Sequence, residues 1–425
     1  MYKRVIFYKN LMFTAICCNI INMKKIKKPE IMSPIRDWGS LEACKDYADA
    51  VYFGVSMLTM RANANTFNLK NIGKFVKKCH EYKIKAYLTV NTVIYNGDIK
   101  EAEKVVKKAK EAGVDALIVW DPAVIQISKK YKQKFFISTQ ANISNWESTL
   151  FYKKLGASRV VLSREMTLKQ IQETKKKLGS FEIETFVHGA MCVSISGRCL
   201  LSAYLYGKSA NCGSCAQPCR KEWFLTDGEG NKIANEGKYF LNAKDLCMIE
   251  YVPELIKSGI SSFKIEGRRR DPRYIEVTSR CYREAVDACF AGTFTKEKAE
   301  AWKKELAGVY NRGFSTGFYF GEPGPAGISY DHTGNMATTK KVLLGRVSNY
   351  FAKLGVAELT LDHKGLKVGD SIVIEGNDVY FEQKVGSLEI DSKSIKKAQK
   401  GDKIAIKMDK KVKKNNQISV LVDII

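Results

Sequence analysis

The chain has 425 residues, of which 45% are hydrophobic, and its mean hydropathy is −0.24. This length allows one large domain and a smaller one, and the composition is that of an ordinary soluble globular protein, which excludes a disulfide-stapled mini-protein. Lys and Arg outnumber Asp and Glu by 70 to 45, which gives a formal charge of +25. Such an excess favours polyanionic partners, nucleic acid first. The alternative is a lysine-rich proteome in which this charge has no specific meaning.

Residues 1–23 place a short apolar stretch behind basic residues, loosely like a signal peptide. Asn10, Asn19 and Asn22 interrupt the stretch, and no small-residue cleavage site follows. The stretch is also too short and too polar to span a bilayer. Because Met23 reads like a natural start, we interpret 1–23 as a non-native or disordered extension, with a targeting segment as the alternative. We expect a cytoplasmic protein without a membrane partner.

From Glu30 onward, eight short β-branched or aromatic runs alternate with longer lysine-faced segments. The predicted strands are Ile31–Ile35, Ala50–Val55, Lys85–Asn91, Ala116–Asp121, Phe135–Gln140, Arg159–Glu165, Glu182–Gly189 and Ser262–Gly267. Between them, stretches such as Leu69–Tyr82 and Lys100–Ala112 carry apolar residues at helical spacing. Strand–helix alternation with nearly continuous apolar strands indicates a parallel sheet.

Eight such units match the size of a closed (β/α)8 barrel, so the predicted fold class is α/β with a TIM-like barrel. The alternative, an open doubly wound sheet, is disfavoured because no GxGxxG follows the first strand. We assign 24–318 to the barrel, with a Cys-rich insertion at 190–261, and the Gly- and Pro-rich stretch 319–340 to a linker. Short strands and Gly-Asp turns in 341–425 predict a small C-terminal β-barrel domain. This domain is either an RNA-contacting appendage or a stability or dimerisation module.

Six of the twelve cysteines fall within the connection between the seventh and eighth predicted strands, at the barrel face where active sites are built. They are Cys192, Cys199, Cys212, Cys215, Cys219 and Cys247. Thiolates are soft ligands that suit zinc or iron–sulfur centres. Only Cys212 and Cys215 form a C-x2-C knuckle, so a structural zinc site fits poorly. Four thiolates from separate segments suit a [4Fe–4S] cluster.

The segment ETFVHGAMCVSISGRCLLS, residues 184–202, resembles the signature of the collagenase-like peptidases of family U32. The resemblance extends from DAVYFG at 49–54, through FKIEGR at 263–268, to the C-terminal β-domain. Members of this family are implicated in oxygen-independent hydroxylation, and this chain is similar to the prephenate-dependent tRNA uridine hydroxylase branch. The resemblance implies 5-hydroxylation of the wobble uridine of tRNA, with prephenate as co-substrate.

The resemblance also implies which cysteines hold the [4Fe–4S] cluster. Cys192 and Cys199 come from the signature, Cys215 from GSCAQPCR and Cys247 from NAKDLC. Cys219 is the alternative ligand, and Cys212 is a weaker competitor. The other cysteines are interpreted as buried or incidental thiols.

Other functions stay open at this point. Other branches of the family act on a cytidine of ribosomal RNA or on ubiquinone precursors, and the family name itself suggests proteolysis. The sequence shows no GxSxG, no HExxH and no obvious Cys–His–Asn set. His188, four residues before Cys192, leaves a Cys–His nucleophile as a hypothesis. A cluster-bearing RNA-binding protein without turnover is a further alternative.

Polar residues at the ends of the barrel strands are the candidates for substrate contact. They are Asn91, Asp121, Gln140, Arg164, His188, Glu266 and Arg268. We predict catalytic roles for His188, Lys264 and Glu266; the alternatives are a backbone hydrogen bond for His188 and a structural ion pair for Glu266.

Arg61, Arg164 and Arg268 are predicted to bind the two carboxylates of prephenate, because the guanidinium fork suits carboxylates. The run Arg268-Arg269-Arg270 and the lysine-rich helices are predicted to contact RNA phosphates, unless they are only solvated faces. The oligomeric state is not predicted.

Overall fold

The computed structural model describes residues 26–55, 58–60, 67–232, 238–332 and 334–424. The predictions for residues 1–23 and for Arg61 lie outside these ranges. Within them, no helix is both long enough and apolar enough to cross a bilayer.

Eight parallel strands form a closed barrel, as the sequence predicts. They are β1 (Glu30–Pro34), β2 (Ala50–Phe53), β3 (Lys85–Val90), β4 (Ala116–Val119), β5 (Phe135–Ile137), β6 (Arg159–Val161), β7 (Glu182–Gly189) and, after a short strand β8 (Asp245–Cys247), β9 (Ser262–Ile265). Each of the first seven pairs with the next, and β9 closes the ring by pairing with both β1 and β7. Most of these strands are buried along their whole length, because both faces of a parallel sheet are covered.

Helices surround the barrel or follow it. They are α1 (Trp38–Cys44), α2 (Ile72–Glu81), α3 (Ile99–Glu111), α4 (Pro122–Lys130), α5 (Trp146–Lys154), α6 (Leu168–Leu178), α7 (Leu201–Tyr206), α8 (Val252–Lys257), α9 (Pro272–Phe290) and α10 (Lys296–Ala307). Their buried residues recur at helical spacing, as in α3, where Ala102, Val105 and Val106 face the sheet. The lysines lie on the opposite, solvated face.

Two short strands at the mouth of the barrel were not predicted. β8 pairs antiparallel with the end of β7, and β10 (Phe314–Ser315) pairs parallel with β8. Strands of two or three residues are too short to show a periodic pattern. They matter because β8 carries Cys247 and fixes the direction in which its side chain lies.

The C-terminal region, predicted as a small β-barrel domain, is rich in strands, and these strands pair antiparallel. Its strands are β11 (Thr339–Phe351), β12 (Val356–Thr360), β13 (Leu366–Lys367), β14 (Ser371–Gly376), β15 (Val379–Lys384), β16 (Leu388–Ile390), β17 (Lys393–Ile395), β18 (Lys397–Ala398), β19 (Lys403–Lys407) and β20 (Gln417–Asp423). Eight of them form one sheet in the order β15-β14-β20-β11-β12-β19-β16-β17, and β13 pairs with β18. This sheet has a hydrophobic core of its own, distinct from that of the barrel.

Ion pairs join the C-terminal sheet to the barrel. Arg273 at the start of α9 pairs with Glu382 at 3.1 Å, and Lys341 pairs with Asp271 at 2.8 Å. The stretch 319–340, interpreted from the sequence as a linker, is packed on the barrel: the Tyr319 hydroxyl is buried and donates to the Phe186 carbonyl at 2.7 Å. The C-terminal sheet and the stretch before it are therefore both anchored on the barrel.

Candidate functional site

A narrow polar cavity of ≈ 90 Å³ opens at the carboxyl ends of the barrel strands. Its lining comprises Tyr52, Met60, Thr89, Asn91, Ile118, Ser138, Thr139, Gln140, Val161, Arg164, Phe186, Cys192, Ser196, Gly197, Lys264, Glu266 and Arg268. Seven of the residues predicted from the sequence as site residues therefore line this one cavity: Asn91, Gln140, Arg164, Cys192, Lys264, Glu266 and Arg268. The cavity is smaller than the roughly 300 Å³ typical of ligand pockets.

Arg164 is fixed on three sides. Its guanidinium stacks 3.7 Å above the centroid of the Phe186 ring and donates to the Ala190 carbonyl at 2.7 Å. The remaining terminal nitrogen lies 3.6 Å from the Glu266 carboxylate, which matches the ion pair considered for Glu266. The buried Nε of Arg164 has no hydrogen-bond partner. Because a buried donor without a partner is costly, this nitrogen is suited to an incoming acceptor.

Lys264 stands at the floor of the cavity, at the top of a buried stack of charges. Its Nζ lies 2.8 Å from Glu184 Oε1 and 4.4 Å from the centroid of the Tyr52 ring. Burial lowers the pKa of Lys264, although the Glu184 carboxylate opposes the shift. An ammonium held by one carboxylate can donate to a ligand and exchange a proton more readily than an exposed lysine.

Below Lys264, the stack continues through Arg159. The Arg159 guanidinium reaches Glu184 at 3.1 Å, Glu30 at 2.6 Å and Glu182 at 2.9 Å. Burial alone would raise the pKa of Glu30, but the charge and hydrogen bond of Arg159, together with Lys85 and Tyr87, lower that pKa. Tyr87 also donates to Glu30, at 2.9 Å. This lower half of the barrel interior is a closed, mutually satisfied network.

Hydroxyl and amide groups complete the wall opposite Arg164. Arg268 donates to the hydroxyls of Thr59 and Thr89, at 2.9 and 3.0 Å. Asn91 donates to Ser138 at 3.1 Å and accepts from the Met60 backbone at 3.1 Å. These contacts hold the side chains at fixed positions around the cavity, which is the arrangement that binding of a small polar ligand needs.

The first segment of the cysteine insertion forms the lid of the cavity. Asn142 donates to the Ser196 carbonyl at 3.0 Å. Gly197 has φ +71°, and a Cβ there would lie 2.5 Å from Gln140 Oε1. Only glycine therefore lets the segment lie on Gln140. Gln140 Oε1 itself is buried without a hydrogen-bond partner.

His188, predicted as catalytic, does not line this cavity. A register shift in β7 between Phe186 and His188 turns its side chain to the outside of the barrel wall. There it packs against the rings of Tyr274, Tyr282 and Phe314. Burial lowers the pKa of His188 to about 3, so the imidazole is neutral near pH 7.

Asp121, considered for substrate contact, has a structural contact instead. Its carboxylate accepts from the Ala123 backbone N–H at 2.9 Å and caps the N-terminus of α4. Pro122 in the first turn fits the same capping arrangement.

The structure brings four of the six clustered thiols near one another. Cys192 is exposed and lines the cavity, while Cys199, Cys215 and Cys219 are half-buried. Burial raises the pKa of Cys219, and the sulfurs of Cys192, Cys215 and Cys199 lie close enough to raise it further. No three His, Cys, Asp or Glu side chains converge to metal-binding geometry within the described ranges. The donors present near one another are nevertheless four thiols, the donor set that an iron–sulfur cluster takes.

Cys247, the fourth predicted ligand, lies elsewhere. Its backbone pairs with His188 in the β7–β8 ladder, and its side chain is buried. Burial raises the pKa of this thiol to about 11, and Lys303, Tyr282 and Glu250 act on it. The structure therefore groups Cys219, the alternative ligand, with the signature cysteines and places Cys247 against α9.

Arg220 connects the segments that carry these thiols. It follows Cys219 and is buried, and its guanidinium donates to the Met191 carbonyl, to the Ala243 carbonyl at 2.5 Å and to Asn242 Oδ1 at 2.7 Å. One side chain thus ties the residue before Cys192 to the residue after Cys219. Sequence reasoning missed this role, and it also missed Tyr52, Ser138 and Phe186. Strict alternation along the predicted strands, which directs Tyr52 and Phe186 inward, was a signal for those two.

Comparison with known proteins finds a family profile and relatives that are similar over most of the chain. The profile of peptidase family U32 matches residues 38–329. An uncharacterized protease of Methanocaldococcus jannaschii is 42% identical over 93% of this chain and 99% of its own length. A collagenase of Porphyromonas gingivalis is 37% identical over 92% of this chain and 97% of its own. A tRNA hydroxylation protein P1 of Bacillus subtilis is 36% identical over 72% of this chain and 74% of its own.

Proposed function

Because this chain belongs to peptidase family U32, whose members bear both protease and tRNA hydroxylation names, we propose that it is an RNA-modifying hydroxylase that acts on tRNA. We propose more specifically that the reaction is 5-hydroxylation of the wobble uridine. The observation that carries the proposal is the cavity at the barrel mouth. Among its described lining residues, Arg164 and Arg268 face a single carboxylate, Glu266, while Lys264 is paired with Glu184 beneath the floor of the cavity.

This surplus of positive charge suits a small dianionic co-substrate, and we propose prephenate. Arg164 and Arg268 would bind its two carboxylates, and Lys264 would donate to an oxygen between them. Glu266, already beside Arg164, would orient the guanidinium and accept a proton from the bound substrate.

We further propose that Cys192, Cys199, Cys215 and Cys219 hold a [4Fe–4S] cluster at the rim of the same cavity. When bound, such a cluster supplies one-electron redox chemistry. The role of the chain's own residues is to keep the four thiols together through Arg220 and to expose Cys192 toward the cavity. Cys219 replaces Cys247 in this assignment because its sulfur lies near the other three.

The peptidase alternative is supported by the names of two relatives. A cysteine protease needs a histidine within hydrogen-bond reach of its nucleophile. The exposed Cys192 lines the cavity, whereas the His188 ring is enclosed by aromatic side chains behind the barrel wall. This arrangement supports hydroxylation over peptide cleavage.

Nucleoside mass spectrometry of tRNA from a deletion strain tests the function. We expect loss of 5-hydroxyuridine and its derivatives, with recovery on expression of the wild-type chain but not of Lys264→Met. Unchanged levels in a strain without a related gene would refute the proposal. Hydrolysis of denatured collagen by the wild-type protein, unaffected by iron removal, would favour the peptidase instead.

Iron and sulfide analysis after anaerobic purification tests the ligand set. Cys219→Ser is expected to lose most of the iron, whereas Cys247→Ser, the matched buried thiol, is expected to retain it. Loss of iron in Cys247→Ser with retention in Cys219→Ser would restore the assignment predicted from the sequence.

A further inference from the structure

The outer surface of the cysteine insertion exposes an unusual number of large apolar side chains. Tyr204 is 83% exposed, the highest value among the large hydrophobic residues that are exposed, and Phe224 is 57% exposed. Val193, Ile195, Leu200, Leu205, Tyr206 and Leu225 are exposed in the same insertion. Tyr95, 62% exposed, follows Val93, whose backbone N–H donates to the Asn211 carbonyl of the insertion at 3.2 Å. We call Tyr95, Tyr204, Tyr206 and Phe224 the aromatic patch.

The aromatic patch adjoins the cavity. Cys192, Ser196 and Gly197 line the cavity, while Val193 and Ile195, which alternate with them in sequence, are exposed. A single loop thus forms the lid on one side and begins the apolar surface on the other. Whatever binds to the aromatic patch lies next to the mouth of the site.

The charge around the patch indicates the kind of partner. The sequence from Thr185 to Lys221 contains no Asp or Glu and contributes Arg198, Lys208 and Lys221 outside the core, whereas acidic residues begin at Glu222. Lys221 Nζ lies 4.4 Å from the centroid of the Tyr206 ring, and Lys232 Nζ lies 5.1 Å from that of Phe224. Exposed rings with cations stacked on them match unpaired nucleotides, whose bases stack and whose phosphates are anionic.

We propose that the aromatic patch binds unpaired nucleotides of the RNA substrate, stacking the bases that flank the one entering the cavity. This inference rests on the proposed function, since it takes RNA as the substrate. It adds that the chain selects single-stranded loops, because paired bases present no free faces for stacking.

The test measures binding of the full-length protein to a synthetic RNA stem-loop with an unpaired pyrimidine-rich loop and to a blunt RNA duplex of the same length. We expect tighter binding of the stem-loop. Tyr204→Ala is expected to weaken stem-loop binding by about 5- to 100-fold, whereas Tyr204→Phe retains it, because stacking needs only the ring. Phe151→Ala is the matched control, because Phe151 on α5 is 58% exposed and lies outside the insertion.

Equal affinity of wild type and a folded Tyr204→Ala variant, or equal affinity for stem-loop and duplex, would overturn the inference. A Tyr204→Ala/Phe224→Ala double variant that keeps wild-type affinity would do the same. The proposed function fails separately: unchanged 5-hydroxyuridine in the deletion strain would refute hydroxylation even if Tyr204 proves necessary for RNA binding.

Discussion

The barrel interior has a lower half, the network around Arg159, and an upper half, the cavity at the carboxyl ends of the strands. Both halves contain charged residues, but only in the lower half are these residues fully paired. In the lower half, Arg159 contacts three carboxylates, and each of them has at least this partner. In the upper half, toward the barrel mouth, Arg164 and Arg268 line the cavity with one carboxylate, Glu266. Two buried atoms there, Arg164 Nε and Gln140 Oε1, lack hydrogen-bond partners. Buried charge alone therefore does not mark the site in this barrel. The site is marked by buried polar atoms that lack hydrogen-bond partners beside the cavity.

The lower half predicts the largest effect on stability. Arg159→Met would leave Glu30, Glu182 and Glu184 without their shared partner, so we expect a loss of about 3–5 kcal/mol in the free energy of unfolding. Denaturant titration measures it. Lys85→Met is the control, because Lys85 contacts Glu30 at 3.4 Å but is largely exposed, and it should cost less than about 1 kcal/mol. Similar losses in the two variants would contradict the distinction between the halves.

The pH dependence of stability tests whether His188 has a structural or a functional role. Its folded pKa of about 3 is below the 6.5 of the unfolded chain, so the unfolded state binds the extra proton between these values. Stability should therefore be lost as the pH falls from 6.5 toward 3, by up to roughly 1.4 kcal/mol per pH unit from this residue.

The measurement compares the pH dependence of urea unfolding in wild type and in His188→Gln. The variant should have the shallower slope in this window, while prephenate binding at neutral pH stays unchanged. Parallel curves, or loss of prephenate binding, would place His188 with the functional residues of the upper half.

The upper half predicts a smaller effect, on ligand affinity. Arg164→Gln and Arg268→Gln should each weaken prephenate binding at least about tenfold, or roughly 1.4 kcal/mol, because each loses a charge-assisted hydrogen bond. Calorimetric titration measures it. Arg36→Gln, at a partly exposed arginine that pairs with Asp37 outside the cavity, should bind as wild type does. Wild-type affinity in both cavity variants would remove these arginines from the site.

Asp121 predicts the smallest effect. Asp121→Ala removes the cap of α4 and should cost about 1 kcal/mol of stability, whereas Asp121→Asn keeps a capping oxygen and should cost less. Thermal unfolding distinguishes them. A loss of tRNA hydroxylation in a stable Asp121→Asn variant would show that the strand-end position has a functional role after all.

The barrel was predictable from the sequence because each of its strands is a continuous apolar run between helical segments. The positions of Arg164, Lys264 and Arg268 followed, since all of them stand at or near strand ends. His188 and Cys247 were not predictable. A shift in the register of β7 and the pairing of the three-residue β8 set the directions of those side chains, and neither leaves a pattern in the sequence. The resemblance assigned Cys247 through the motif NAKDLC, and a motif carries no information on the direction of a side chain.

The contacts of Arg220 also set an order for the maturation of the protein. Its partner Asn242 donates in turn to the Ser329 carbonyl at 3.3 Å, so the junction spans polypeptide from Met191 to Ser329. A nascent chain displays Cys192 and Cys199 long before that polypeptide has been synthesised. We therefore expect the thiols to be held together only once the stretch up to Ser329 has packed. Loading of the proposed cluster would then be a late, post-translational event, and retained iron would report on completed folding.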